Sequence, residues 1–286
     1  MTPVLPTAGV DAPIGVFDSG VGGLTVLRAL RAELPGESLI YLGDTARLPY
    51  GTKSPETVIR YALQAADDLL ARGIKALVVA CNTASAAALP ALRQRCASLP
   101  VFGVIEPGAR AACAATRSAH IVVLATEGTV RGGAYQSAIR QLLPHAQVDA
   151  IACQIFVALA EEGWIDGDAV DAAISRYLRP LQQRPGTAPD TLVLGCTHFP
   201  VLRERIAVAV GGRMRIIDSA ATTAAAVRDH LAKSGLASTA ARPAGLPGGG
   251  TQTRFLATDG VERFASVGAR FLGEAIPVNQ IELIDL

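Results

Sequence analysis

The chain has 286 residues, more than one typical core requires and about right for two, with half of them hydrophobic and only 18% charged. That composition excludes a disordered chain, and a formal net charge of +1 gives no basic surface for direct nucleic-acid binding and none for an anionic membrane. The opening residues MTPVLPTAGVDAP lack the basic and apolar regions of a signal peptide, and no apolar run reaches the roughly 18 residues that span a bilayer.

Short apolar runs alternate with helical patterns along the chain. IGVFD (14–18), SLIYLGD (38–44), KALVVAC (75–81), VFGVI (101–105), HIVVLAT (120–126) and DTLVLGC (190–196) are predicted strands. They do not alternate apolar with polar, as expected when both faces of a sheet are covered. Between them LTVLRALRAEL, SPETVIRYALQAADDLLARG and DGDAVDAAISRYLRPL read as helices; Ser54-Pro55 starts one and Gly73 stops it. This alternation predicts an α/β fold with mostly parallel sheets. The stretch 235–253 is rich in Gly, Pro, Ala and Thr without periodicity and is predicted to be a mobile surface loop. TRFLATD and VNQIELIDL then resume the fold as two more strands.

The two halves echo each other. IGVFDSGVGGLTVLRAL is matched by IVVLATEGTVRGGAYQSAI, and LVVACNTASAAALPAL by LVLGCTHFPVLRERI, in the same order. Two similar α/β units facing each other place like groups on opposite sides of one cleft.

Five cysteines, an odd number with no CxxC pair, argue against a zinc ribbon, a disulfide framework or a redox pair and for free thiols in a reducing compartment. Cys81-Asn82-Thr83 and Cys196-Thr197-His198 both follow an apolar strand and precede a helix, where α/β sheets bind ligands. A helix N-terminus favours a thiolate, so each cysteine is expected to become a base near neutral pH. Cys96, Cys113 and Cys153 read as inert packing. A zinc site of Cys81, Cys196 and His198 lacks a fourth ligand at a recognisable spacing. His198 is placed to hold or relay a proton. Asp18-Ser19-Gly20 is either a helix cap or a carboxylate that orients Cys81 or meets a substrate ammonium. The Gly20-Val21-Gly22-Gly23 run approaches a dinucleotide fingerprint, with Asp44 near the ribose-binding distance, but Thr25 stands where its last glycine belongs. Leu48-Pro49-Tyr50-Gly51 offers a tyrosine hydroxyl and a glycine amide for a carboxylate, and Thr126-Glu127-Gly128-Thr129 offers hydroxyls and amides for an anion, or plain helix capping.

The turns FDSGVGGLTVL, GDTARLPYG, ACNTAS and GCTHFP, in that order, resemble glutamate racemases of the aspartate/glutamate racemase family, from about residue 14 to the C-terminus and leaving out 235–253. The resemblance implies two α/β domains, residues 1–107 plus 222–286 and residues 108–221, with the active site in the cleft between them. It implies interconversion of L- and D-glutamate without cofactor or metal, in the cytoplasm, supplying D-glutamate for peptidoglycan and the cell wall. Cys81 matches the cysteine acting on D-glutamate and Cys196 the one acting on L-glutamate; Asp18 and His198 match their assisting groups. Ser19, Tyr50, Gly51, Asn82, Thr83 and Thr197 match substrate-binding positions, with Asp18, His198, Thr126 and Thr129 added. Glu161 sits where the family often has a carboxylate near the histidine. One departure is CQIFVALAEEG (153–163), where the family often reads CPLFVPL. Racemization of aspartate or another acidic amino acid is the alternative with the same machinery. As partners the resemblance implies a homodimer and, in a different class of role, binding and damping of DNA gyrase, which nothing in the charge pattern favours.

Overall fold

A computed structural model describes residues 9–182, 188–239 and 252–286; of the segment 235–253, residues 240–251 lie outside the described residues. The first part runs β1 (Ile14–Asp18), α1 (Leu24–Glu33), β2 (Leu39–Gly43), α2 (Pro55–Ala71), β3 (Ala76–Val79), α3 (Asn82–Arg95), β4 (Val101–Gly103) and α4 (Ile105–Ala115). The second runs β5 (His120–Ala125), α5 (Glu127–Gly132), α6 (Ala134–Leu142), β6 (Gln147–Ala152), α7 (Gln154–Glu162), α8 (Asp168–Gln182), β7 (Thr191–Gly195), α9 (Arg203–Val210), β8 (Arg215–Asp218) and α10 (Ser219–Ser234). The chain returns with β9 (Thr253–Ala257), α11 (Val261–Leu272) and β10 (Ile281–Leu283).

The strands form a six-stranded sheet, β10-β9-β2-β1-β3-β4, and a four-stranded sheet, β6-β5-β7-β8. Among the described residues every strand pair is parallel. The order β2-β1-β3-β4 is repeated as β6-β5-β7-β8, so the echo in the sequence corresponds to a repeated topology. In each sheet the strand order reverses beside the central strand, at β1/β3 and at β5/β7. The helices that follow these strands leave on opposite faces, α1 and α6 into one shared core, α3 and α9 into two outer cores. Such switch points open a crevice at the carboxyl ends of the strands.

Alternation along the strands builds the layers. Ala76, Val78 and Ala80 face the shared core while Leu77, Val79 and Cys81 face the outer one. In the other sheet Val193 faces the shared core while Leu192, Leu194 and Cys196 face outward. The two cysteines therefore stand at the same phase of equivalent strands.

The helix over 55–71 begins as its sequence predicts: Ser54 Oγ accepts the Thr57 amide at 3.3 Å, and Pro55 opens the first turn. Two boundaries differ. The strand predicted over 101–105 ends at Gly103, and Ile105 already opens α4. β6 and β8 have no apolar run to announce them, because they are half-exposed edge strands with polar residues at Gln147, Asp149, Arg215 and Asp218.

A buried ion pair ties the returning chain to the first sheet. Lys75 Nζ meets Glu37 at 2.5 Å and donates to the Val10 and Leu236 carbonyls, while Glu37 accepts the Ser238 amide at 2.8 Å. Removing one partner leaves a charge in the core, so Lys75→Met is expected to lower unfolding free energy by about 3–5 kcal/mol, read from the urea midpoint.

Candidate active site

The carboxyl ends of β1, β3, β5 and β7 meet around one cavity of about 470 Å³ of empty space, its open mouth included. Cys81 and Cys196 both wall it, together with Ser19, Tyr50, Gly51, Asn82, Thr83, Thr126, Thr197 and His198. Asp18 and Thr129 stand behind the wall, fully or almost fully buried. Among the described residues no three His, Cys, Asp or Glu side chains group closely enough to hold a metal ion.

The glycine run after β1 is what lets the two halves meet. A Cβ on Gly22 would lie 2.4 Å from the His198 ring and 2.5 Å from Thr197 Oγ1. Thr25, the residue that breaks the dinucleotide pattern, donates its hydroxyl to the Thr197 carbonyl at 3.0 Å. The run thus serves contact between the halves, not a dinucleotide, and Asp44 is occupied elsewhere: it accepts from Arg47, Tyr50 and Thr258. A second contact packs Gly51 on Thr126, where a Cβ would come within 2.9 Å. Tyr135 donates to Asn82 Oδ1 at 2.8 Å across the same seam.

The two cysteine turns are not alike. Cys81 caps α3, its sulfur accepting the Ala84 amide at 3.4 Å and donating to Ser19 Oγ at 3.5 Å. Helix position does not make it a ready base, contrary to the sequence expectation. Burial, with the Asp18 charge beside it, pushes the Cys81 thiol up to about 12 against the pull of Ser19 and Ala84. Asp18 acts on Cys81 through charge, while Ser19 is its side-chain hydrogen-bond partner. Nor does Asp18 cap α1: that helix starts at Gly23 without a side-chain cap, and Asp18 Oδ2 accepts the Gly20 amide at 3.0 Å. Burial raises Asp18, partly offset by His198 and by the amides of Gly23, Gly20 and Ser19.

Cys196 does not stand at an α-helix start. A short 3₁₀ turn, Phe199–Leu202, follows His198, and α9 begins only at Arg203. Its partner is the imidazole: His198 Nδ1 lies 3.8 Å from the Cys196 sulfur and Nε2 lies 3.1 Å from Glu161 Oε1. Burial pulls His198 down, but the hydrogen bonds and charges of Cys196 and Glu161 outweigh it and raise it to about 10. The His198 hydrogen bond holds Glu161 low against burial, and Arg263 on α11 adds to this at 3.2 Å. A protonated His198 donates at both nitrogens, one toward sulfur and one toward carboxylate.

Other hydroxyls are spent within the protein. Tyr50 donates to Asp44, so its hydroxyl does not face the cavity as expected; the Tyr50–Gly51 segment lines the wall instead. Thr126 precedes α5 without capping it. Thr83, Thr126 and Thr129 form a triangle of hydroxyls with edges of 2.9, 3.0 and 3.3 Å. Sequence reasoning missed Gln154 and Val157, which also line the wall. With Glu161 they sit at i, i+3 and i+7 on α7, a helical face legible once α7 is known to begin at Gln154. Three buried polar atoms at the site have no partner: Asp18 Oδ1, Asn82 Nδ2 and Gln154 Oε1.

The pattern of the family described as Asp/Glu/Hydantoin racemase matches residues 22–227. The chain belongs to that family. It is 50% identical over 260 residues to the glutamate racemase of Geobacter metallireducens, covering 91% of this chain and 92% of the relative. It is 43% identical over 278 residues to that of Neisseria meningitidis serogroup A, covering 97% and 98%. The crystal structure of the Francisella tularensis glutamate racemase in complex with D-glutamate superposes with a TM-score of 0.87 at 33% identity, covering 96% of this chain and 98% of that one. These relatives are racemases, a class of isomerase, and the two-sheet α/β fold is theirs.

Two outcomes follow for this racemase. Gly22→Ala must displace His198, and a misplacement of about 1 Å is expected to cost roughly 10²-fold in turnover, with far-UV circular dichroism unchanged. His198 has a folded-state pKa near 10 against an ordinary 6.5. Its contribution to stability is therefore complete below about pH 6.5 and lost as pH rises through about 10. The unfolding free-energy gap between wild type and His198→Gln is expected to shrink over that window, and the His198 NMR titration midpoint is expected to fall in Glu161→Gln.

Proposed function

We propose that this chain interconverts L- and D-glutamate without a cofactor, one proton passing between substrate Cα and each of Cys81 and Cys196. The observation that carries the reading is that two thiols, set at the same phase of equivalent strands in two sheets, wall a single cavity. Inversion at carbon requires an acid on one face and a base on the other, and two like units facing each other supply them. Around the thiols, unpartnered acceptors at Asp18 Oδ1 and Gln154 Oε1 and an unpartnered donor at Asn82 Nδ2 suit an ammonium and a carboxylate. The choice of glutamate rests on the relatives, which are named glutamate racemases and one of which holds D-glutamate.

The environments assign roles. Cys81, raised to about 12, rests as a thiol and acts as the acid. Cys196 works with the His198–Glu161 pair as the base, so the resting form is set to take the proton of L-glutamate, and the swapped form that of D-glutamate. Removing an α-proton beside a carboxylate builds a dianionic, enolate-like transition state. Asn82 and Thr197 place donors on the cavity wall for that charge. Closing the cavity removes water and strengthens each of these interactions. The product, D-glutamate, is assigned to peptidoglycan synthesis in the cytoplasm on the resemblance; among the described residues no helix is long and apolar enough to cross a membrane.

The test is α-hydrogen exchange in D₂O with chelator-treated, pyridoxal-phosphate-free protein. Deuterium incorporation with inversion from both glutamate enantiomers is expected, and no exchange from either overturns the proposal. Faster exchange with aspartate reassigns the substrate. Cys81→Ala and Cys196→Ala are each expected to lower racemization by roughly 10²–10⁴-fold or more.

A further inference from the structure

We infer that Gln154 is a substrate-binding residue whose carboxamide oxygen accepts a hydrogen bond from the ammonium group of the amino acid. The inference rests on the racemase reading above and extends it to a residue that the conserved-looking turns do not contain. Gln154 opens α7 and lines the same cavity as the Ser19–Gly20 turn that follows β1. Its Oε1 is shielded from solvent and has no hydrogen-bond partner in the protein. A buried acceptor left unsatisfied is costly, so a ligand that satisfies it binds more tightly than one that does not.

The polar inventory of the cavity indicates which ligand group meets it. The carboxylates of a diacid need donors, and Asn82 Nδ2, which has no partner in the protein, supplies one. An ammonium needs acceptors. Two acceptor atoms at the site are unpartnered, Asp18 Oδ1 behind the first turn and Gln154 Oε1 on α7. An ammonium has three N–H bonds to place. Held by Gln154 from the second half, with the buried Asp18 carboxylate behind the first turn adding its negative charge, it sets Cα toward the two thiols.

α7 is a suitable mount. Its far end is clamped to the first half, with Arg263 on Glu161 at 3.2 Å and Arg270 donating to the Ala160 and Glu161 carbonyls at 3.0 and 2.9 Å. Gln154, Val157 and Glu161 present one face of that helix, so a single rigid element carries an ammonium acceptor, an apolar wall and the carboxylate that holds His198.

The experiment compares wild type with Gln154→Ala and Gln154→Met, the second keeping side-chain length without the amide. KM and kcat are measured for both glutamate enantiomers, and glutarate, which has the two carboxylates without the ammonium, is titrated as a competitive inhibitor. Expected is a rise in KM of about tenfold or more for both enantiomers in both variants, with kcat changed less and glutarate inhibition unchanged; losing a hydrogen bond to a charged group carries that size of effect. A parallel loss of glutarate affinity overturns the assignment, because the amide then serves a carboxylate. An unchanged KM in both variants also overturns it. Failure of the racemase reading is distinguishable, because wild type then exchanges no α-hydrogen of glutamate at all.

Discussion

The contact between the glycine turn after β1 and the Thr197–His198 backbone and ring sets the geometry on which the rest of the site depends. With no side chain at Gly22, the imidazole seats where a Cβ would lie 2.4 Å from it, and Thr25 latches the Thr197 carbonyl from the same turn. This contact closes the crevice formed by the two switch points. Around it, burial is the largest influence on three titratable groups of the first sheet's turns. Asp18 and Tyr50 are raised because of it, and Cys81 with them.

Two units of the same topology do not make two equivalent thiols. Cys81 has the better helix and the worse electrostatics: it caps α3, which begins at the next residue, yet the buried Asp18 carboxylate lies beside it. Cys196 has no α-helix, but it has an imidazole whose other nitrogen is held by Glu161. A repeated topology brings both thiols to one cavity, and unlike neighbours suit the proposed acid on one side and the proposed base on the other. Pairs of titratable groups pushed apart by their surroundings are how one site carries both roles at neutral pH.

Much of this was legible residue by residue. The apolar runs revealed the buried strands because a parallel strand covered on both faces has no polar side to hide. The edge strands β6 and β8 escaped because exposure to solvent lets them carry polar residues. The cysteine turns, the threonines and His198 were visible as polar residues placed where apolar strands stop. The fate of each hydroxyl was not. Tyr50 looks available in the sequence, but its hydroxyl donates to Asp44 in the fold, and Thr129 supports the wall from behind. Gln154 gave no signal, since one glutamine at a helix start is ordinary until the cavity beside it is known.

The amino-acid sequence by itself determined the α/β class, the repeated order of the two halves, the family, and which strands end in a thiol. These are short-range matters of period, turn chemistry and motif, read within a few residues. Only the tertiary structure decided which groups meet and in what state of protonation. Thr25 and Thr197 are 172 residues apart in the chain, the Asp18 charge that acts on Cys81 comes from the end of a different strand, and the Glu161 carboxylate that holds His198 lies 37 residues before it. Desolvation and Coulomb forces depend on distance through space, and the fold alone sets that distance.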